Sequence, residues 1–310
     1  MSSERTFRSG FIALVGRTNA GKSTLVNALT GERVSITSSK AQTTRNKIRG
    51  IVNRDDAQLV FIDTPGLHLW LKRTLNQVMI ETALSTLGDA DCIVMLVDAT
   101  HALTPQGEIE DIEAQLMEAI AKSGRPAILA INKMDALKDR ALVLPIIDAY
   151  RKGFDFQSIV AVSARKRQEL TNLLDCIVPL LPESAPLYPQ SLYTDQTERF
   201  LASETIREVI YRHMGKELPY AAVVEIEDFK SMRMRNRIEI TATIYVERES
   251  QKAIFVGKAG SAIKRLGTEA RMQLAKALDA QIQLSLFVKV KQDWSENVNA
   301  LRQFGYTENK

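Results

Sequence analysis

The sequence predicts an α/β domain, with a mostly parallel sheet and helices on both faces, followed by a smaller α+β domain. Three observations carry this. Short apolar runs alternate with segments of helical period as far as about residue 180, the mark of strand–helix–strand units. A stretch bearing Pro182, Pro186 and Pro189 then interrupts the periodicity. Beyond it the order changes to one helix, two β-rich runs, two helices and a closing strand. A chain of 310 residues has room for two cores, and the expected division is 1–180, a linker over 181–196, and 197–310 with a C-terminal tail.

The first run, Phe11-Ile12-Ala13-Leu14-Val15, is too short for anything but a buried strand. Gly16-Arg17-Thr18-Asn19-Ala20-Gly21-Lys22-Ser23-Thr24 follows, and then Leu25-Val26-Asn27-Ala28-Leu29 with helical spacing. Strand, Gly-x4-Gly-Lys-Ser, helix is the P-loop in its required context. Its glycines let successive amides face one anion, and the helix N-terminus adds partial positive charge. Lys22 is placed to reach the β- and γ-phosphates of a nucleotide, and the Ser23 hydroxyl to hold Mg²⁺. The polar, non-periodic segment Ser35 to Arg45 suits a loop that metal and γ-phosphate order and then release. Thr43 and Thr44 both offer the metal a hydroxyl there, and Thr44 is preferred.

Lys47–Asn53 and Ala57–Ile62, around Arg54-Asp55-Asp56, read as a hairpin. Asp63-Thr64-Pro65-Gly66 follows directly, with Asp63 placed to serve Mg²⁺, directly or through water, and the Gly66 amide to meet a γ-phosphate. Further strands are expected at Cys92–Val97, Ala127–Ile131 and Ile159–Val162. Helices are expected near Gln77–Leu87, Gln106–Lys122, Arg140–Arg151 and Gln168–Leu180. Ligands bind such sheets at the carboxyl ends of the strands, and each motif falls there. Asn132-Lys133-Met134-Asp135 is one of them. A carboxylate at Asp135 accepts from both N1–H and the 2-amino group of guanine, which adenine lacks. The Lys133 stem can lie over the base while Asn132 ties this loop to the phosphate loop. Ser163-Ala164 would complete the base pocket through backbone donors. An ATP-dependent metabolic kinase leaves Asn132–Asp135 unexplained.

In the second part a helix over Glu198–His213 precedes β-rich runs at Tyr220–Phe229 and Arg237–Val246. A short helix, Gly257-Lys258-Ala259-Gly260, a helix over Ala262–Leu278 and a strand over Gln281–Val290 follow. Gly-x-x-Gly between two helices beside a three-stranded sheet lets a nucleic acid backbone come close to the N–H groups of the second helix. Lys258 lies in that turn, with Lys264 and Arg265 just beyond. This is the KH arrangement in its type II order, a clamp for about four single-stranded nucleotides. A plain helix-turn-helix corner is the alternative. Lys252, Lys258, Lys264, Arg265, Arg271 and Lys276 face one acid, Glu269, an excess that fits an anionic partner or, equally, a solvated helix face.

Composition sets bounds on all this. Hydrophobic content of 45%, charged content of 25% and a net charge of +4 are those of a soluble globular protein. No apolar run approaches a membrane helix or a signal peptide, so a cytoplasmic protein is expected. Cys92 and Cys176, without a CxxC spacing, read as core thiols, and His68, His101 and His213 are too scattered for a metal cluster.

With both halves read, the chain resembles the Era-type family of bacterial GTPases along nearly its whole length. The likeness rests on Gly16–Thr24, Lys40-Ala41-Gln42-Thr43-Thr44-Arg45, Asp63-Thr64-Pro65-Gly66-Leu67-His68 and Asn132–Asp135. In the second half it rests on Arg199-Phe200-Leu201-Ala202-Ser203-Glu204, Glu217-Leu218-Pro219-Tyr220 and Val256–Lys264. One nucleotide domain plus one KH domain sets such proteins apart from related double-GTPase ribosome factors. The resemblance implies an α/β P-loop GTPase domain followed by a KH (type II) domain. It implies GTP and GDP as ligands, with Mg²⁺ on Ser23, Thr44 and Asp63, and catalysis through Lys22, Ser23, Thr44, Asp63 and Gly66. It further implies binding of single-stranded RNA near the 3′ end of 16S ribosomal RNA and work in maturation of the 30S subunit. A cytoplasmic location with peripheral inner-membrane association goes with it. No DNA partner is expected, and nothing in the pattern demands more than a monomer.

Two departures stand out. Ser163-Ala164-Arg165-Lys166 replaces a motif that usually carries an acidic or other polar residue and a nearby glycine, which bears on how tightly the base is held. Gln303-Phe304-Gly305-Tyr306 has Phe where leucine is usual. Leu67 stands where Ras-like enzymes carry a water-orienting glutamine, so slow intrinsic hydrolysis is expected, about 10⁻⁴ to 10⁻² per second. Asn19 adds K⁺ as a substitute for an arginine finger, as in related enzymes with asparagine there. A second reading keeps the GTPase but makes it a signalling protein whose second domain is a protein-interaction module.

Overall fold

The computed structural model describes residues 6–37, 44–66, 74–215, 217–232 and 236–306. Among the described residues one compact unit takes in 6–35, 44–66 and 79–195, and a second takes in 36–37, 74–78 and those from 196 onward. The first contains β1 (Arg8–Val15), α1 (Lys22–Thr30), β2 (Ile48–Asn53), β3 (Ala57–Asp63), the part of α2 (Thr74–Asp89) from Met79 on, and β4 (Cys92–Asp98). It continues through α3 (Asp111–Ser123), β5 (Ala127–Asn132), α4 (Val143–Gly153), β6 (Ser158–Ala161) and α5 (Leu170–Ile177). The strands form one six-stranded sheet in the order β2-β3-β1-β4-β5-β6. Only β2, at an edge, runs antiparallel to its neighbour.

Every residue of β3 and β5 is buried, which is why Leu59–Ile62 and Ala127–Ile131 read as unbroken apolar runs: helices cover both faces. The two-residue period of β1 divides its side chains between two cores. Ile12 and Leu14 pack with Leu25 of α1 and with Leu173 and Ile177 of α5. Ala13 and Val15 pack on the other face with Leu87 of α2, Ile120 of α3 and Tyr150 of α4. The helix expected from Gln106 begins instead at Asp111. A turn in which the Thr104 N–H donates to the Glu108 carbonyl occupies the preceding residues, with Gly107 at φ 83°. Cys92 is buried and its thiol is pushed up to about 12 by burial, whereas Cys176 on α5 is only half-buried.

The stretch expected as a linker is laid along the first unit. The Ser9 N–H donates to the Pro182 carbonyl and the Ile51 N–H to the Tyr193 carbonyl. Gln58, wholly buried on β3, accepts from the Leu187 and Tyr188 N–H groups at 2.7 and 2.8 Å. The chain near Tyr193 thus covers β2, whose free ladder groups would otherwise invite another strand.

The second unit holds α6 (Glu198–His213), β7 (Val223–Met232), β8 (Arg237–Val246), α7 (Glu249–Val256), α8 (Ser261–Leu278), β9 (Gln281–Val290) and α9 (Val298–Gln303). Its sheet runs β7-β8-β9, with β7 antiparallel and β9 parallel to β8. Ile206 and Ile210 of α6, Phe255 of α7 and Leu266 and Leu274 of α8 bury the inner face with Ile240, Ile244 and Ile282. The expected start of β7 at Tyr220 gives way to Val223, because the Tyr220 N–H closes a turn on the Glu217 carbonyl. The tail after β9 carries part of the packing. Trp294 is fully buried, donates to the Ala221 carbonyl at 3.0 Å and meets the Phe304 ring edge-on. Among the described residues no helix is long and apolar enough to cross a membrane.

Candidate functional site

In the first sheet, β3 and β4 flank β1, so the strand order reverses at β1 and opens a crevice beyond its carboxyl end. The loop from Gly16 fills that crevice and leads into α1, whose first residue is Lys22. The Lys22 amine donates to the Gly16 and Arg17 carbonyls, both at 3.0 Å. Burial pulls its pKa down to about 8, and the charge of Asp63 offsets only part of that. A bound anion would supply the missing counter-charge.

Ser23, Thr44 and Asp63 converge from three segments. Asp63 Oδ2 accepts from the Ser23 hydroxyl at 2.7 Å and from Thr44 at 3.3 Å, and the two hydroxyls lie 2.8 Å apart. Burial pushes the Asp63 carboxyl up, despite Lys22 and these donors. Asp63 Oδ1 is buried with no hydrogen-bond partner among the described residues. Three hard oxygen donors with one unsatisfied carboxylate oxygen fit Mg²⁺. Beyond Asp63, the Thr64 hydroxyl donates to the Leu14 carbonyl, and a Cβ on Gly66 would lie 2.8 Å from Thr18 Cα. Only glycine lets this turn come so near the phosphate loop. Thr43, Leu67 and His68 lie outside the described residues.

At the end of β5, Asn132 donates to the Ala20 carbonyl at 2.9 Å and accepts from the Ala164 N–H at 3.0 Å. Lys133 takes a left-handed conformation, φ 65°, and its amine meets Asp98 Oδ2 at 2.6 Å. Asp135 accepts from the Ser163 hydroxyl at 2.6 Å. The backbone donors expected at Ser163 and Ala164 are engaged with Gln168 and Asn132, so it is the Ser163 side chain that faces Asp135.

Several contributors had no assigned role in the sequence reading. Ser35 donates to Asp63 Oδ2 at 2.7 Å, and Asn27 of α1 accepts from the Val34 and Ser35 N–H groups, which fixes that segment. Asp98, at a strand's carboxyl end, carried a positional signal. Asn27 and Ser35 carried none, since their partnership depends on the fold of the loop.

In the second unit α7 and α8 meet at Gly257–Gly260, with φ values of 72°, 47° and 77° at Gly257, Ala259 and Gly260. A Cβ on Gly257 would come within 2.7 Å of the Ala262 Cβ. Lys258, Lys264 and Arg265 are all exposed. Glu269, the single acid in this basic run, pairs with Arg212 and His213 of α6, and the His213 contact holds its carboxyl below the usual range. A cavity of about 790 Å³ between α8 and the start of β9 is lined by Arg237, Arg271, Met272, Gln281 and Gln283 among others.

Residues 11–133 match the family model described as 50S ribosome-binding GTPase, and residues 217–295 match the KH domain model. The GTPase Era of Syntrophus aciditrophicus is 43% identical over 302 residues, 97% of this chain and 96% of that protein. That of Geobacter metallireducens is 42% identical and covers 98% of this chain and all of its own length, 100%.

This chain belongs to the GTPase Era family.

It is therefore an Era-type GTPase: a P-loop GTPase domain followed by a KH domain. Two solved Era structures superpose on it with a TM-score of 0.90 at 37% identity, each covering 97% of this chain and 100% of the other. One is an Aquifex aeolicus Era variant bound to GDP·AlF4⁻. The other is Era in complex with MgGDPNP and nucleotides 1506–1542 of 16S ribosomal RNA.

Proposed function

We propose that this GTPase is a nucleotide-operated clamp for single-stranded RNA at the 3′ end of 16S ribosomal RNA and acts in maturation of the 30S subunit. The observation that carries this reading is the Gly257–Gly260 turn, flanked by exposed Lys258, Lys264 and Arg265, in a chain that also bears the Ser23–Thr44–Asp63 cluster. The Era complex with MgGDPNP and 16S nucleotides supports it.

In this reading residues 16–24 cradle the phosphates and Lys22 leaves the loop carbonyls for the β- and γ-oxygens. Asp135, oriented by Ser163, reads N1–H and the 2-amino group of guanine, and the Lys133 stem covers the base. Ser23, Thr44 and Asp63 hold Mg²⁺, which when bound neutralises charge on the phosphates. The Gly66 amide meets the γ-phosphate, so its loss frees both the segment around Thr44 and the turn after Asp63. K⁺ beside Asn19 would take the place of an arginine finger. Residues 197–310 serve RNA, with the glycine turn against the backbone and the cavity beside α8 open to bases.

The test is fluorescence anisotropy of a labelled RNA copying the 16S 3′ tail, titrated with full-length protein at fixed salt. GDP is compared with a non-hydrolysable GTP analogue. Tighter binding with the analogue is the expected result. Equal binding removes the switch, and no binding in either state removes the RNA clamp.

A further inference from the structure

Glu113 on α3 is a buried carboxylate with no part in the site described above. Its side chain is 2% exposed, and Oε2 has no hydrogen-bond partner among the described residues. That oxygen lies 4.0 Å from Nη1 of Arg17, a residue of the phosphate loop. The same nitrogen is 3.0 Å from Oε2 of Glu110, just ahead of α3. The Arg17 carbonyl, in turn, receives the Lys22 amine at 3.0 Å. A line of contacts therefore runs from two acids at α3, through one guanidinium and its own backbone, to the lysine at the head of α1.

A buried carboxylate with an open oxygen is an expensive way to hold a helix. An apolar or amide side chain of similar size would stabilise the packing at least as well. What a carboxylate adds is a charge, and the cation nearest to it belongs to the loop that must grip the phosphates. The groups around Glu113 come from four segments: Arg17 of the phosphate loop, Glu110 ahead of α3, Tyr150 of α4 and Asp98 at the end of β4.

We propose that Glu113 is a positioning residue for nucleotide binding that acts through Arg17: its carboxylate anchors the guanidinium and so fixes the loop carbonyl against which Lys22 is held. Burial, with Glu110 and Asp98, raises the Glu113 carboxyl to about 7 against the pull of Arg17 and Tyr150. The anchor is accordingly charged above neutrality and lost below it, where Arg17 keeps only Glu110. Nucleotide affinity gains a proton-linked component that no residue touching the nucleotide supplies. This inference rests on nucleotide occupying the phosphate loop.

The experiment measures affinity for a fluorescent GDP at about pH 6 and about pH 8, with salt and Mg²⁺ fixed, for the full-length protein, E113Q, R17Q and the double variant. The titration of GDP's own phosphate is common to all four. Wild-type affinity is expected to rise about three- to tenfold more than that of E113Q between these values, the size of one partly buried charge pair. R17Q should be as flat as E113Q, and the double variant should add nothing to either. A full wild-type pH response in E113Q overturns the proposal. So does an E113Q effect that persists unchanged in the R17Q background, since a merely structural role would lower the melting temperature there too. If E113Q does not fold, R17Q decides alone, because Arg17 is partly exposed and its pH response must vanish. Absence of GDP binding by the wild-type protein would instead overturn the nucleotide-site reading itself.

Discussion

The Asn132 side-chain amide donates to the Ala20 carbonyl at 2.9 Å and ties the end of β5 to the phosphate loop. Its oxygen holds the Ala164 N–H at 3.0 Å, so one buried side chain fixes the spacing of phosphate, base and closing loops. Asn132→Ala would leave a buried carbonyl and a buried N–H unpaired, at about 1–3 kcal/mol each. The expected outcome is a destabilisation of about 2–6 kcal/mol in urea unfolding and a loss of GDP affinity of at least about tenfold. Wild-type affinity in a folded Asn132→Ala protein would show that the three loops keep their spacing without this tie.

Asp135 is aimed by Ser163. The 2.6 Å hydrogen bond from the Ser163 hydroxyl occupies Oδ1 of the carboxylate that is to read guanine. Asp135→Asn should lower GTP affinity by at least about a hundredfold and raise preference for XTP, because the site then donates where guanine also donates. Ser163→Ala should keep guanine selectivity and weaken GTP binding by roughly tenfold, the worth of one hydrogen bond to a charged group. Competition binding with GTP, XTP and ATP checks both. Unchanged GTP affinity in Asp135→Asn would remove Asp135 from the base pocket.

Much of the fold was legible because its signals are local. An apolar run fully covered by helices has no alternation, and Leu59–Ile62 of β3 and Ala127–Ile131 of β5 show none. The helix Glu198–His213 and the strands Arg237–Val246 and Gln281–Val290 fall on the bounds read from periodicity. What stayed hidden depends on contacts between distant residues. Proline-rich composition cannot reveal that Gln58 receives the Leu187 and Tyr188 N–H groups. Nor can the sequence of the tail show Trp294 buried against the Ala221 carbonyl and the Phe304 ring. In the nucleotide site the motif residues were visible as strings, but Ser35 reaches Asp63, and Asn27 the Val34 and Ser35 N–H groups, only through a fold that no short string encodes.

Asp63 should make the ligand-free protein sensitive to pH. Burial holds its carboxyl above the ordinary range, so the folded state keeps the proton longer than the unfolded chain does. Its contribution to stability is fully present below the unfolded value and is lost as pH rises through the folded one. Asp63→Asn carries no such charge and can still accept from Ser23 and Ser35. The variant should be more stable than the parent at neutral pH without nucleotide, with a shallower fall on raising pH. Its GDP affinity should depend much less on Mg²⁺. Urea unfolding across pH, with GDP titrations with and without chelator, measures both. A less stable variant that keeps its Mg²⁺ dependence would contradict the assignment.

The glycine turn can be tested through salt. Glu269 is drawn towards Arg212 and His213, so the field over Lys258, Lys264 and Arg265 is not cancelled by the one acid in their run. Each phosphate neutralised on a single strand contributes about 0.7 to the slope of log affinity against log salt. Replacing both Lys258 and Lys264 by alanine should lower that slope by about 1.4 and weaken RNA binding most at low salt. Because both side chains are exposed, GTP hydrolysis and melting temperature should stay at parental values. A loss of affinity with an unchanged slope would mean that these lysines shape the turn without touching phosphate. An unchanged affinity would mean that the RNA lies elsewhere on the second unit.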